Sequence, residues 1–254
     1  RTMDVKPQLI PKLKALRLSG ILETLDVRNR QAIEDQLSYV EFLERLLEDE
    51  VERRSQKQLT LRLRRASFMA EKTLEGFDWS FNPSINRQQI HDLATGAWIE
   101  RKEACLIVGP SGTGKSHLAQ ALGHEACRRG YDVLFTPAAK MLAHLNGGRA
   151  DGTYDRRLAG YLRPDLLVLD DFGLRPLRGH EGEDFYEIIG ERYERGSLLV
   201  TSNRDYTEWP EAFGENPLLA SAALDRIAHR AHLITITGAS YRAQDRARLL
   251  RKAG

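Results

Sequence analysis

The chain holds 254 residues, with 38 Lys plus Arg against 36 Asp plus Glu and 41% hydrophobic residues; this is long enough for a core without disulfides or structural metal and too apolar for a disordered chain. A net charge of +2 excludes a uniformly basic chain, and the longest apolar run, Ala104–Val108, falls far short of the roughly 20 residues that cross a bilayer. Cys105 and Cys127 supply neither a disulfide framework nor a zinc cluster, and the lack of a charged-then-apolar leader predicts a cytoplasmic protein with no membrane partner.

The first 75 residues read as all-helical. Leu9, Leu13 and Leu16 recur at helical spacing behind Pro7, and Ser19-Gly20 marks a break. Ser38-Tyr39-Val40-Glu41 has the form of a capping box, after which Val40, Leu43, Leu47 and Val51 share one helix face. Charge then switches sign. Residues 34–52 carry eight acidic side chains against Arg45, whereas residues 53–72 carry Arg53, Arg54, Lys57, Arg62, Arg64, Arg65 and Lys72 against Glu71. Two readings stay open: two surfaces with different partners, or one solvated helix laced with ion pairs. A small helical domain over residues 1–75 is expected, with the turn-rich, aromatic stretch Gly76–Pro83 as the junction to a second domain over residues 76–254.

Beyond residue 85 short apolar runs alternate with helical segments. The runs are Ala104–Val108, Asp132–Phe135, Leu166–Leu169, Leu198–Thr201 and Leu233–Ile236. That alternation predicts an α/β fold, a parallel sheet covered on both faces.

The first run leads directly into Gly109-Pro110-Ser111-Gly112-Thr113-Gly114-Lys115-Ser116, a full Walker A pattern. Its glycines let backbone N–H groups curl around phosphates, and the helix expected over His117–Cys127 presents its positive N-terminus to them. Lys115 reaches the terminal phosphates and the Ser116 hydroxyl ligates Mg²⁺. The third run ends in Asp170-Asp171, the Walker B arrangement. Asp170 is placed to hold Mg²⁺; Asp171 either polarises the attacking water or caps the next segment of chain. The fourth run ends in Asn203, which can donate and accept at once, or can simply begin a turn.

Together with Leu224-Asp225-Arg226 and Ser240-Tyr241-Arg242, these motifs resemble the AAA+ ATPases of the DnaA/DnaC clade. Gly114-Lys115-Ser116-His117-Leu118-Ala119, Arg192–Ser197, Thr201-Ser202-Asn203, Glu208-Trp209, Leu224–His229 and Gly238–Arg242 narrow the resemblance to the IstB-like ATP-binding proteins, the transposition helpers of bacterial insertion sequences. The resemblance covers nearly the whole chain. It implies a P-loop core with strand order 5-1-4-3-2, ATP and Mg²⁺ as cofactors, and nucleotide held between subunits of a ring or spiral homo-oligomer. It further implies duplex DNA and a cognate transposase as partners. His117 then joins residues 109–116 in the nucleotide site, with a packing or hydrogen-bonding role, as for His124 and His229, left open; Arg226 falls at the arginine-finger position, and Arg242 at a second sensor of the γ-phosphate. An ion pair with Asp225 or another nearby acid remains open for Arg226. The clade usually places Glu where this chain has Asp171, one methylene shorter.

No base-reading motif stands out, so DNA contact is expected to be sequence-nonspecific, through Arg53, Arg54, Lys57, Arg62, Arg64 and Arg65. Arg149, Arg156, Arg157, Arg175 and Arg178 are further core candidates. Two other functions are weighed. A small-molecule kinase fits poorly with Asp170-Asp171, Asn203 and the two late arginines; a replicative helicase loader like DnaC would share the core.

Overall fold

In the computed structural model, which describes residues 7–213, 216–238 and 240–241, three helices come first: α1 (Leu9–Ala15), α2 (Ser19–Glu34) and α3 (Tyr39–Ala66). The chain divides by contact into two compact units, separated in sequence between Leu61 and Arg62.

In the first unit, Leu13, Ile21, Leu25 and Leu46 are buried together, with Leu18, Leu22 and Phe42 packed around them. Leu18 precedes α2 and has no side chain able to cap it, so a distant carboxylate does the work. Buried Glu50 accepts from the N–H groups of Gly20 (2.6 Å) and Ile21 (3.3 Å), satisfying donors that a helix start leaves open. Gly20 is required there because a Cβ would lie 2.7 Å from the Glu50 Cα. The expected break falls just before it, at residues 16–18. The capping box forms as expected: Ser38 N–H donates to Glu41 and Glu41 N–H to Ser38 Oγ. Val40, Leu43, Leu47 and Val51 do share a face, but an exposed one, since Phe42 and Leu46 make the packed face of α3.

The second unit carries α4 (Arg87–Ala94), α5 (Ala97–Glu100), β1 (Ala104–Val108), α6 (Lys115–Arg128), β2 (Val133–Pro137), α7 (Ala138–Asp151), α8 (Tyr154–Leu162) and β3 (Leu166–Phe172). Then come α9 (Glu181–Arg192), β4 (Ser197–Ser202), α10 (Trp209–Ala212), α11 (Pro217–Ala228) and β5 (Ala231–Thr235). The five strands form one all-parallel sheet in the order β2-β3-β4-β1-β5, the order the resemblance implies. Leu106, Val108, Leu167, Leu169, Leu198 and Val200 turn to a core shared with α7, α9 and α11. The alternate positions Cys105, Ile107, Leu166, Val168 and Leu199 are buried on the other face, where α6 packs. Both faces are covered.

Only β1 keeps its expected bounds; β2 runs to Pro137, β4 gains Ser197 and Ser202, and β5 and β3 shift most. β5 starts earlier, pairing Ala231 and His232 with Ala104 and Cys105. β3 runs three residues beyond Leu169 through a bulge, and Phe172 rejoins the ladder opposite Ser202. The pull is packing: Phe172 is fully buried, stacked on Phe185 at 4.3 Å and tilted against Trp209 at 4.8 Å.

Residues 68–86 pack on α6 and the loop before it. Met69 and Ala70 N–H groups donate to Gln120 Oε1, Phe68 lies near Phe135, and the Phe77 ring meets His117 edge-on.

Candidate nucleotide site

The glycine-rich loop leaves β1 at the C-terminal end of the sheet, and three glycines sit where no side chain fits. A Cβ on Gly109 (φ +152°) would lie 2.2 Å from the Ile236 carbonyl oxygen; on Gly112 (φ +78°), 2.2 Å from Ser240 Oγ; on Gly114 (φ +99°), 3.1 Å from the Phe77 ring. The loop is closed by two of its own polar groups and by one from residue 241. Thr113 Oγ1 and Lys115 Nζ both donate to the Pro110 carbonyl at 2.8 Å, and Tyr241 N–H donates to the Gly112 carbonyl at 2.9 Å. Ser111 lies at the exposed crest between them, and Lys115 is buried at the start of α6. Backbone this close to its neighbours, opening a helix and carrying a lysine, fits a polyphosphate, because only glycines leave the amides approachable. Ser116 sits half-buried in the first turn. His117 is turned aside: its Nε2 faces the Thr73 carbonyl at 3.0 Å, and burial holds its pKa below the usual imidazole value.

The acidic pair is built differently at each residue. Asp170 is buried, and its Oδ1 accepts from Thr201 Oγ1 at 2.5 Å. Asp171 occupies the bulge at φ +57°, with its side chain exposed, a conformation Asp tolerates better than most residues. Its N–H donates to the same Thr201 oxygen at 2.9 Å. One hydroxyl therefore fixes the carboxylate of the first acid and the backbone of the second.

Ser202 makes the next link. Its carbonyl accepts from Gly109 N–H at 3.2 Å, while its hydroxyl donates to the Phe172 carbonyl at 2.7 Å. The tip of β4 thus ties the entrance of the glycine-rich loop to the exit of β3. Asn203 follows it directly and is exposed. Thr201 and Ser202, both fully buried, stand in the Thr201-Ser202-Asn203 motif, which assigns them no role; the structure makes them the link between the acids and the loop. The available signal was two hydroxyls ending a strand whose central position demands burial, and buried hydroxyls need partners.

Arg226 is not brought to this loop within its own chain. It lies half-buried on α11 with its guanidinium 4.9 Å over the Tyr186 ring. It lines a hollow with Lys102, Ala104 and Leu198, at the strand ends opposite the loop. Arg242 lies outside the described residues.

The basic candidates are unequal. Arg53 pairs with Glu23, and Arg54 with Glu50 at 2.7 Å. Lys57 lines a cleft with Glu23, Asp49 and Glu52. Arg62 is half-buried beside Gly130, whereas Arg64 and Arg65 are exposed. Among the core arginines, Arg149 pairs with Asp184, Arg157 with Asp151 and Arg175 with Glu181. Among the described residues no cluster of His, Cys, Asp and Glu could hold a metal on its own, and no helix is long and apolar enough to cross a membrane.

The model of the IstB-like ATP binding protein family matches residues 11–249. An insertion-sequence ATP-binding protein of Mycobacterium tuberculosis is 42% identical over 241 residues, covering 94% of this chain and 96% of its own. The ATP-binding protein of insertion sequence IS21 from Pseudomonas aeruginosa is 37% identical over 246 residues, covering 97% and 90%. Among solved structures, AMPPCP-bound DnaA from Aquifex aeolicus superposes with a TM-score of 0.57 at 24% identity, over 73% of this chain and 56% of that one. DnaI superposes with a TM-score of 0.57 at 22% identity, over 66% and 92%. Both are likenesses of fold, the AAA+ fold. The chain belongs to the family of IstB-like ATP binding proteins.

Proposed function

We propose that this protein is a Mg²⁺-dependent ATPase that assembles on duplex DNA and assists the cognate transposase of its insertion sequence in choosing and using a target. The observation that carries the reading is the hydrogen-bonded chain from Gly109 through Ser202 and Thr201 to Asp170 and Asp171. It couples a polyphosphate cradle rigidly to a pair of acids, the arrangement hydrolysis needs.

In this reading the amides of residues 109–114 and Lys115 hold the phosphates. Ser116 and Asp170 offer the hard oxygen ligands Mg²⁺ prefers, and that ion supplies charge neutralisation on the phosphate oxygens. Asp171, exposed at the bulge, orients and deprotonates water, assisted by Asn203 just past the end of β4; its shorter reach suits slow turnover, as a timing device would use. Arg226, remote from its own loop, completes the site of a neighbouring subunit, which makes hydrolysis depend on assembly. Arg242 reads the γ-phosphate.

The names of the relatives support insertion-sequence work over helicase loading. The exposed stripe Val40, Leu43, Leu47 and Val51 supports a protein partner or a subunit contact on the helical unit, and Arg64 and Arg65 support nonspecific phosphate contacts.

The test is an Asp171→Asn protein on duplex DNA with ATP. It should bind ATP, hydrolyse it far more slowly and stay on DNA longer than wild type. Wild-type turnover with an unchanged complex lifetime would move the water-activating role elsewhere.

A further inference from the structure

The helical unit leaves part of one helix face uncovered. Along α3, Val40, Leu43, Leu47 and Val51 are 48–75% exposed, each three or four positions from the next, so they form one apolar row about 16 Å long. Single exposed apolar side chains are ordinary, but a continuous row marks a contact surface. The unit has already built its core on the other face of α3, through Phe42 and Leu46.

The charges beside the row indicate what covers it. Glu44, Glu48 and Glu52 line its edge. Other acids of this acidic stretch are in use: Asp35 pairs with Arg45, Glu41 closes the capping box, Asp49 holds Arg28, and Glu50 caps α2. The side chains of Glu44, Glu48 and Glu52, by contrast, make no ion pair or hydrogen bond among the described residues. An apolar row edged by three unpaired carboxylates is complementary to an amphipathic helix that carries lysines or arginines along one flank. Duplex DNA is a poor occupant, because the edge repels phosphate. A second copy fits badly too. Laid antiparallel across the row, it would set these glutamates against the same three acids, since like edges meet in such a pair. Slid along until the acids reach residues 53–65, it would lose the apolar contact, because that stretch continues the row as Arg54, Gln58 and Leu61.

We propose that this face of α3, from Val40 to Val51, docks a basic amphipathic helix of the cognate transposase. The inference rests on the reading of this chain as a helper of that transposase, and adds where the partner sits and what charge it carries.

The experiment measures the affinity of the purified cognate transposase for the full chain, with ATP and at several salt concentrations. Wild type is compared with Leu43→Ser/Leu47→Ser and with Glu44→Gln/Glu48→Gln/Glu52→Gln. All five side chains are exposed, so both variants should keep the wild-type unfolding midpoint, ATP binding and oligomeric state. The serine variant should bind the transposase roughly tenfold more weakly or worse. The glutamine variant should also bind more weakly, with a flatter dependence on salt. Hydrogen exchange on the transposase should reveal a segment protected by wild type and not by the serine variant, with Lys or Arg flanking apolar residues at helical spacing. Wild-type affinity in both variants overturns the proposal, and so does a protected segment without basic residues. A serine variant that falls to smaller oligomers makes the row a subunit contact and overturns it as well. Should the serine variant unfold, the glutamine variant decides: an unchanged salt slope overturns the proposal, and a flatter one supports it. Wild type that binds no transposase, with ATP and duplex DNA present, overturns the helper reading and this inference with it.

Discussion

Thr201 and Asp170, thirty-one positions apart, are joined by a 2.5 Å hydrogen bond between neighbouring strands, and the same Thr201 oxygen accepts the Asp171 N–H. The geometry of both acids therefore depends on one buried hydroxyl. Thr201→Val keeps the shape and removes the hydroxyl, leaving a buried carboxylate oxygen and an amide short of a partner. A stability loss of about 1–3 kcal/mol is expected, with ATP turnover falling much more than ATP affinity, and Thr201→Ser should restore both. Unfolding midpoints and single-turnover rates check this; a Val variant equal to wild type in both would dissociate Thr201 from the site.

How much of this was legible beforehand varies with range. The glycine-rich loop between β1 and α6 was, because its residues are contiguous in sequence and bounded by a strand and a helix. The strand order followed from the resemblance, not from the apolar runs. The Thr201–Asp170 bond was not legible: it depends on register across β3 and β4, and a bulge shifts that register just where the acids lie. Periodicity likewise grouped Val40, Leu43, Leu47 and Val51, but could not say whether that face or the Phe42–Leu46 face would meet α2. Gly20 looked like punctuation, yet it lies within α2 as a close-approach residue under Glu50.

In the helical unit, Arg28 donates to Asp49 at 2.6 and 2.8 Å, and this bonding holds the Asp49 pKa at about 2, below its ordinary 3.8. The folded value is the lower one, so the stabilisation is complete above the ordinary value and is lost as pH falls toward the depressed one. Amide protection of residues 19–52 in the full chain should therefore drop between about pH 4 and pH 2. In Arg28→Gln, protection should be lower at neutral pH and change less across that window. Identical profiles for the two proteins would contradict the assignment.

Arg226→Ala should leave ATP binding intact and remove assembly-dependent hydrolysis. Mixing it with Lys115→Ala subunits is the informative version, since interfaces pairing an intact Arg226 with an intact Lys115 should recover activity. No recovery at any ratio, with assembly verified, would argue against action in a neighbour's site.

Neutralising Arg62, Arg64 and Arg65 to Gln should weaken binding to all duplex sequences alike and leave ATP binding unchanged. Each lost phosphate contact flattens the slope of log affinity against log salt by roughly 0.9, so three contacts change it by about 2–3. The partial burial of Arg62 makes the lower end the closer expectation. A slope that stays put while a protein partner is lost would assign this helix to the partner instead.

Phosphate chemistry at Lys115 is the centre of the proposed function. The direct measurement is phosphate release from ATP by the full chain with Mg²⁺ and duplex DNA, wild type beside Lys115→Ala. Wild type should turn over ATP slowly and measurably, faster with DNA than without, and the variant should fall to background with ATP binding lost. A Lys115→Ala protein that hydrolyses ATP at the wild-type rate would contradict that role.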